Sequence, residues 1–200
     1  MPNTPRRLES VCVYCASSNA ATPAFIAVAE AFGAILAHEG LRLVYGGGGV
    51  GLMGAAARAA QDAGGKVLGV IPHFLTSHER PLKTVETVIV NSMHERKMMM
   101  FEEADGFAIL PGGIGTLEEV IELLSWRRLG LHAKPIAFLN LDGFWDPLFA
   151  VFQHILDQNL IPAEFKETWT SVERVEDLLP ALQSMPTLAF ASTPGVEDLT

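Results

Sequence analysis

Two short segments carry the side chains best suited to chemistry on a phosphorylated ligand. Glu119 follows a glycine-rich loop closely, and Arg96 and Lys97 lie just after Ser92 in a second segment. An arginine binds phosphate or ribose oxygens in a forked geometry, and a lysine adds a point charge. A carboxylate stabilises developing positive charge or activates a water molecule. Arg96, Lys97 and Glu119 are therefore candidate functional residues.

Both segments also allow a purely structural interpretation. Thr116 followed by Glu119 fits the capping box that begins many helices, and Ser92 followed by Glu95 fits the same pattern. Adjacent cations such as Arg96 and Lys97 are usually found on a solvated helix face. The capping box favours a structural role for Glu95, and at Glu119 it competes with the catalytic role.

The loop that precedes Thr116 has the composition of a phosphate site. Gly112, Gly113 and Gly115 surround Ile114 between an apolar run and a helical pattern. Glycines let backbone N–H groups converge on one point, and the N-terminus of the following helix adds positive potential. The loop therefore predicts a bound phosphate.

A second glycine loop runs from Gly46 to Gly54 and contains four consecutive glycines. It fits the dinucleotide motif G-x-G-x-x-G, but the next predicted strand ends at Ile71-Pro72-His73 without the carboxylate that would hold a ribose. A Walker loop is excluded because no G-x-x-x-x-G-K followed by Ser or Thr occurs. A bare turn does not need four glycines, so the loop favours a closely bound ligand. The missing carboxylate favours a mononucleotide over NAD as that ligand.

Composition restricts the partners further. The 200 residues carry a formal charge of −9, whereas a nucleic-acid groove needs a basic face. The first residues lack the apolar segment of a signal peptide, and no apolar run is long enough to span a bilayer. We expect a soluble, cytoplasmic protein with a small-molecule partner, bound to neither nucleic acid nor membrane.

Cys12 and Cys15 form a C-x-x-C pair, which raises a redox or zinc site as an alternative. Cys12 lies inside an apolar run instead of at a helix start, and no second ligand pair follows at zinc spacing. We therefore expect two inert thiols, no metal site and no cofactor.

Alternating apolar runs and helical patterns predict the fold. Strands are predicted at 10–14, 41–45, 66–71, 84–90, 106–110 and 135–139, and helices at 23–39, 51–63, 92–104, 116–129, 146–158 and 175–185. Such alternation is typical of a parallel sheet covered on both faces. We predict an α/β, doubly wound, Rossmann-like single domain over residues 1–185 and a mobile tail over 186–200.

These residues alone predict a phosphate-binding α/β protein with a Glu/Arg site, and the motifs together resemble one family. Residues 111–119 match P-G-G-x-G-T-x-x-E and residues 92–97 match S-M-H-E-R-K, both found in the Lonely Guy (LOG) family of cytokinin riboside 5′-monophosphate phosphoribohydrolases. Residues 45–54 look like its Y-G-G-G-x-x-G-L-M-G loop, and residues 126–135 resemble its W-x-x-L-G-x-H-x-K-P run. The similarity extends in consistent order from about residue 10 to about residue 180.

The resemblance implies an N-glycosidase that acts on AMP or N6-prenylated AMP and has its active site near a homodimer interface. It makes Arg96 and Glu119 catalytic. The expected substrate contacts are Lys97, Gly112, Gly113, Ile114, Gly115, Thr116, Leu117, Glu118, Ser125, Glu79, Gly47, Gly48 and Ser17. Two departures bear on the accepted base: Ala16 adds a methyl group after the first strand, and Arg127-Arg128 replaces a commonly uncharged pair.

Three hypotheses follow for the function. The first is hydrolysis of a purine nucleoside 5′-monophosphate to free base and ribose 5-phosphate, with AMP and its prenylated forms both open as substrates. The second is a non-catalytic nucleotide or cofactor carrier on the same scaffold, like the related molybdenum-cofactor carrier proteins. The third, a pyridoxal-phosphate decarboxylase, needs a Schiff-base lysine with an acidic partner, and the sequence identifies neither.

Overall fold

The computed structural model describes residues 6–186, and in them seven strands form one sheet. The strands are β1 (Ser10–Tyr14), β2 (Arg42–Tyr45), β3 (Val67–Pro72), β4 (Glu86–Val90), β5 (Gly106–Ile109), β6 (Ile136–Leu139) and β7 (Thr170–Val172). Their order is β4-β3-β2-β1-β5-β6-β7, and every neighbouring pair is parallel.

Helices cover both faces of the sheet. They are α1 (Pro23–His38), α2 (Gly51–Asp62), α3 (Thr76–Glu79), α4 (Met93–Glu102), α5 (Ile114–Arg128), α6 (Asp146–Asp157) and α7 (Leu178–Ser184). One hydrophobic cluster joins α1, α2 and α7 to one face, and a second joins α4, α5 and α6 to the other. The predicted doubly wound α/β fold is therefore confirmed.

Two short elements lie outside the sequence predictions. The three residues of β7 form the edge of the sheet, and α3 is a single helical turn. Neither is long enough to display the periodicity that identifies a strand or a helix. The predicted mobile tail lies outside the described residues apart from Pro186.

The strand order reverses at β1, which has β2 on one side and β5 on the other. Open α/β sheets bind ligands at this point, because the loops leaving neighbouring strands diverge there. Backbone hydrogen bonds tie the loops together: Ala16 N donates to Pro111 O (3.1 Å) and Leu52 N donates to Ala16 O (3.0 Å). Gly51 has a φ of +58°, and a Cβ there would lie 2.6 Å from the carbonyl carbon of Ser17. Only glycine allows this close approach.

Arg127, in the last turn of α5, is fully buried. Its Nη1 donates to the carbonyl oxygen of Lys134, while Nε and Nη2 have no hydrogen-bond partner within residues 6–186. Burial lowers the pKa of this guanidinium to about 10. An incompletely paired buried cation destabilises a fold, because little replaces the water it has lost.

We expect Arg127→Met to raise the free energy of unfolding by about 1 kcal/mol, because a side chain of similar volume then fills the site without charge. Urea denaturation of both proteins at equal concentration measures this difference. Arg128→Met, at the partly exposed neighbour, is the control and should change stability by less than about 0.5 kcal/mol. A loss of stability in Arg127→Met larger than in the control would show that the buried charge is compensated.

Candidate active site

A cavity of about 280 Å³ opens where the loops after β1, β2 and β5 meet. Predicted site residues from four separate segments line it: Ser17, Glu79, Arg96, Gly113, Ile114, Gly115, Thr116 and Glu119. The chain thus brings both predicted catalytic residues and most of the predicted phosphate loop to one place.

The phosphate loop forms the start of α5. This helix begins at Ile114 with Gly113 at the N-cap position, and the N-cap makes no side-chain hydrogen bond. Residues 113–115 are exposed, and a Cβ on Gly113 or Gly115 would meet nothing within 4 Å. The first N–H groups of the helix therefore face open space, where they and the helix dipole attract an anion.

The capping box considered as the structural alternative at Thr116 and Glu119 is not formed. The helix starts earlier, so Thr116 lies in its first turn, where its side chain is buried. It packs against Gly112 so closely that any side chain on that glycine would collide with it. Glu119 is consequently not needed for the cap, and its carboxylate points to the cavity. At Ser92 the cap is confirmed, because Ser92 Oγ accepts from Glu95 N at 3.1 Å, but the carboxylate of Glu95 accepts from Asn91 N (2.8 Å) in place of Ser92 N.

Arg96 lies one turn into α4 and is buried beneath the cavity, with an exposed fraction of 6%. Its Nε donates to Val70 O (3.2 Å), and its Nη2 donates to Gly46 O (2.8 Å). A side chain on Gly46 would collide with the guanidinium, which explains the first glycine of the second loop. Strand β3 and the residue that follows β2 therefore hold the guanidinium of Arg96 in one position.

Two carboxylates flank the guanidinium of Arg96. Glu119 Oε1 is 3.9 Å from Nη1, and Glu79 Oε2 is 3.9 Å from Nη2. These distances are too long for hydrogen bonds, so the carboxylate oxygens keep their capacity to bind a ligand. Burial raises the pKa of Glu119 to about 7, against the opposing effect of Arg96. Burial also raises the pKa of Glu79, and Arg96 again opposes it.

Other predicted contact residues do not line the cavity of this chain. They are Lys97, Gly112, Leu117, Glu118, Ser125, Gly47 and Gly48. Lys97 Nζ instead pairs with Glu118 Oε1 (2.6 Å) and Glu122 Oε2 (2.9 Å). Ser125 is exposed on α5. The binding roles of these residues stay predictions.

Four lining residues were not among the expected contacts: Cys15, Ala16, Ser18 and Met53. Met53 follows the glycine loop within the first turn of α2, which is the signal that could have identified it. Burial raises the pKa of the Cys15 thiol, so this residue is not an activated nucleophile. Ala16 lies where a ligand can contact its methyl group, whereas Arg127 and Arg128 do not line the cavity.

No group of three or more His, Cys, Asp or Glu side chains in residues 6–186 could hold a metal ion. In the same range, no helix has the length and apolar character needed to cross a membrane.

Comparison with known proteins gives close sequence relatives. The chain is 41% identical over 178 residues to the probable cytokinin riboside 5′-monophosphate phosphoribohydrolase LOGL1 of Oryza sativa subsp. japonica, covering 88% of this chain and 80% of that one. It is 37% identical over 184 residues to cytokinin riboside 5′-monophosphate phosphoribohydrolase LOG2 of Arabidopsis thaliana, covering 92% and 86%.

Solved structures show the same fold at lower identity. The molybdenum cofactor binding protein from Rippkaea orientalis has a TM-score of 0.67 and 24% identity, with 89% of this chain and 97% of that chain covered. The molybdenum cofactor carrier protein from Chlamydomonas reinhardtii has a TM-score of 0.68 and 20% identity, with 90% and 98% covered. These similarities support the fold alone.

A family model described as "Possible lysine decarboxylase" matches residues 53–182, which include Glu79, Arg96 and Glu119. Together with the identity to the plant proteins over most of the chain, this match makes the chain a member of the LOG family.

Proposed function

We propose that this protein hydrolyses the N-glycosidic bond of a purine nucleoside 5′-monophosphate and releases the free base and ribose 5-phosphate. One observation carries the proposal: the open N-terminus of α5 and the Glu119–Arg96 pair line the same cavity. The names of the plant relatives describe the same reaction class.

In the proposed reaction the phosphate is an anchor and does not react. It binds the free N–H groups at residues 113–115, which places the ribose toward Glu119. Loss of the base leaves an oxocarbenium-like centre at C1′, by analogy with O-glycoside hydrolysis. Ionised Glu119 stabilises that centre and takes a proton from the attacking water, while Arg96 binds oxygens of the ribose or phosphate.

The decarboxylase alternative lacks its essential residue. A pyridoxal-phosphate enzyme needs a lysine amine in the active site to form a Schiff base. No lysine lines the described cavity, and Lys97, adjacent to Arg96, is engaged by two carboxylates. The description of the family model as a lysine decarboxylase is therefore not supported at this site.

We expect pure protein to release adenine from AMP or prenylated adenine from isopentenyladenosine monophosphate, as measured by chromatography. Glu119→Gln should lower kcat by about 100- to 10,000-fold, because the amide cannot take the water proton. Glu30→Gln, an exposed carboxylate on α1, is the matched control and should retain wild-type kcat. Nucleotide binding without base release by the wild-type protein would favour a carrier.

The pH dependence of the reaction should follow Glu119. Because its pKa is raised to about 7 and its ionised form is the active one, kcat/KM should rise as the pH increases from 5 to about 7. The substrate phosphate titrates near pH 6, and only that smaller change should persist in Glu119→Gln. Steady-state kinetics from pH 5 to 9 test this, and a maximum below about pH 6 would mean that protonated Glu119 is active.

We also propose that the protein is a homodimer formed through α5. Ile114, Ile121 and Leu129 are 85%, 43% and 57% exposed, and their spacing places them with Ser125 along one side of the helix. An apolar stripe of this kind is typical of a protein interface. A partner seated there would cover the open start of α5 and bring Ser125 near a site.

Ile121→Glu should convert the dimer to a monomer, because it places a charge in the apolar interface. Light scattering after size-exclusion chromatography measures the molar mass. The control is Val151→Glu, since Val151 is 53% exposed on α6, away from the stripe, and this variant should remain dimeric. A wild-type protein that is monomeric at micromolar concentration contradicts the proposal.

A further inference from the structure

Glu79 is held in the cavity more firmly than a residue of a surface loop. It is the last residue of α3, and the next residue, Arg80, has a left-handed φ of 47°. The backbone oxygen of Glu79 accepts from Gly49 N at 2.7 Å, which attaches α3 to the loop after β2. The side chain is 16% exposed and lines the cavity. Its position is therefore built by the fold.

The carboxyl oxygen of Glu79 lacks a hydrogen-bond partner. Oε2 is buried, no group within residues 6–186 donates to it, and Arg96 Nη2 is 3.9 Å away. A buried carboxyl oxygen without a donor is costly to keep, and a ligand that exchanges a proton or a hydrogen bond with it removes the cost. Since the Glu79 side chain lines the cavity, a ligand bound there can supply the missing partner to this carboxyl group.

Glu79 and Glu119 lie beside different nitrogens of Arg96, and Glu119 is the one on the helix that follows the phosphate loop. Glu119 lies one turn beyond the open start of α5 and contacts Nη1 of Arg96, whereas Glu79 contacts Nη2. Both Glu79 Oε2 and Met53 Cε lie within 3.1 Å of the point that a Cβ on Gly48 would occupy, so the carboxyl and the thioether are neighbours. A thioether packs well against a flat base. If the phosphate binds at α5, Glu79 and Met53 would therefore lie beside the base.

The reaction needs a proton at that end of the cavity. A purine leaves as a poor, anionic group unless one of its ring nitrogens is protonated as the C1′–N9 bond breaks. Glu119 serves the attacking water at the ribose and is ionised when it does so. The proton for the base is then left to another group, and Glu79 is the one carboxyl group besides Glu119 in the described cavity lining.

We propose that Glu79 is a second catalytic carboxyl group, which donates its proton to N7 of the departing purine; this rests on the proposed function. The C1′–N9 bond breaks, its electron pair stays on the base, and the proton from Glu79 makes the base neutral. The water oxygen bonds to C1′, and its proton goes to Glu119. Exchange with solvent then returns one proton to Glu79 and removes one from Glu119.

The charges around Arg96 favour a single proton on the pair of carboxyl groups. When a phosphate binds, two carboxylates and a phosphate surround a single guanidinium, so the cluster favours retention of one proton. Burial raises the pKa of Glu119 to about 7 and also raises the pKa of Glu79, whose Oε2 receives no hydrogen bond that would stabilise the anion. The proposed reaction uses the form of the pair in which Glu79 holds this proton and Glu119 is ionised.

The test compares two leaving groups. N7-methyl-AMP carries a cationic base that departs without protonation, whereas AMP needs the proton. Glu79→Gln should lower kcat on AMP by about 100- to 1,000-fold, yet stay within about threefold of wild type on N7-methyl-AMP, after subtraction of the uncatalysed rate. Glu119→Gln should lose activity on both nucleotides. Glu86→Gln, an exposed carboxylate on β4, is the control and should match wild type on both.

Each other outcome is decisive. Equal loss of kcat by Glu79→Gln on the two substrates would show a role in binding the ribose and overturn the acid role. Rescue of Glu119→Gln by N7-methyl-AMP would reverse the two assignments and also overturn it. A wild-type protein that cleaves neither nucleotide refutes the proposed function itself. Thermal melting and AMP binding by each variant separate a folding defect from these results.

Discussion

The buried guanidinium of Arg96 is the constraint on which the site depends. Taking a guanidinium out of water costs several kcal/mol unless acceptors replace the lost hydration. The sheet supplies two of these acceptors as backbone oxygens, one within β3 at Val70 and one just after β2 at Gly46. Because one acceptor lies within β3 and the other directly follows β2, the cation is fixed relative to the central sheet. Glu79 and Glu119 are then placed by reference to a fixed charge.

Close packing around the site explains two glycines of the loop after β2. Gly46 cannot carry a side chain because Arg96 occupies that space, and Gly51 cannot because the loop after β1 passes against it. Gly113 and Gly115 differ, since each would have free space for a Cβ. Glycine at the start of a helix weakens the helix relative to a capping side chain. Gly46 and Gly51 therefore allow close packing within the protein, whereas Gly113 and Gly115 leave backbone N–H groups accessible to a ligand.

Sequence periodicity predicted the long elements to within a few residues, because each buries an apolar face with a regular repeat. It missed β7 and α3, which are too short to show a repeat. The start of α5 was misplaced for a different reason. A Thr followed by Glu at capping distance is a local signal, whereas the actual start follows from glycines and from the burial of Thr116.

The site itself could be predicted only in part. Glycine loops and adjacent charges indicated a phosphate ligand, since those signals are local. The arrangement of Glu79 and Glu119 on opposite sides of one guanidinium is not local, because it depends on three loops meeting at the reversal of strand order. Burial of Arg127 likewise depends on tertiary packing that no spacing rule describes.

The neighbours Arg96 and Lys97 show how the helix divides two functions between consecutive cations. With 3.6 residues per turn, adjacent side chains point about 100° apart, so only one of them can face the strand ends. Arg96 does so, and Lys97 is directed to Glu118 and Glu122 on α5. Those ion pairs connect α4, which carries Arg96, to α5, which carries Glu119. The separation of the cation and the carboxylate is therefore set by the sheet on one side and by a cross-helix ion pair on the other, before any ligand binds.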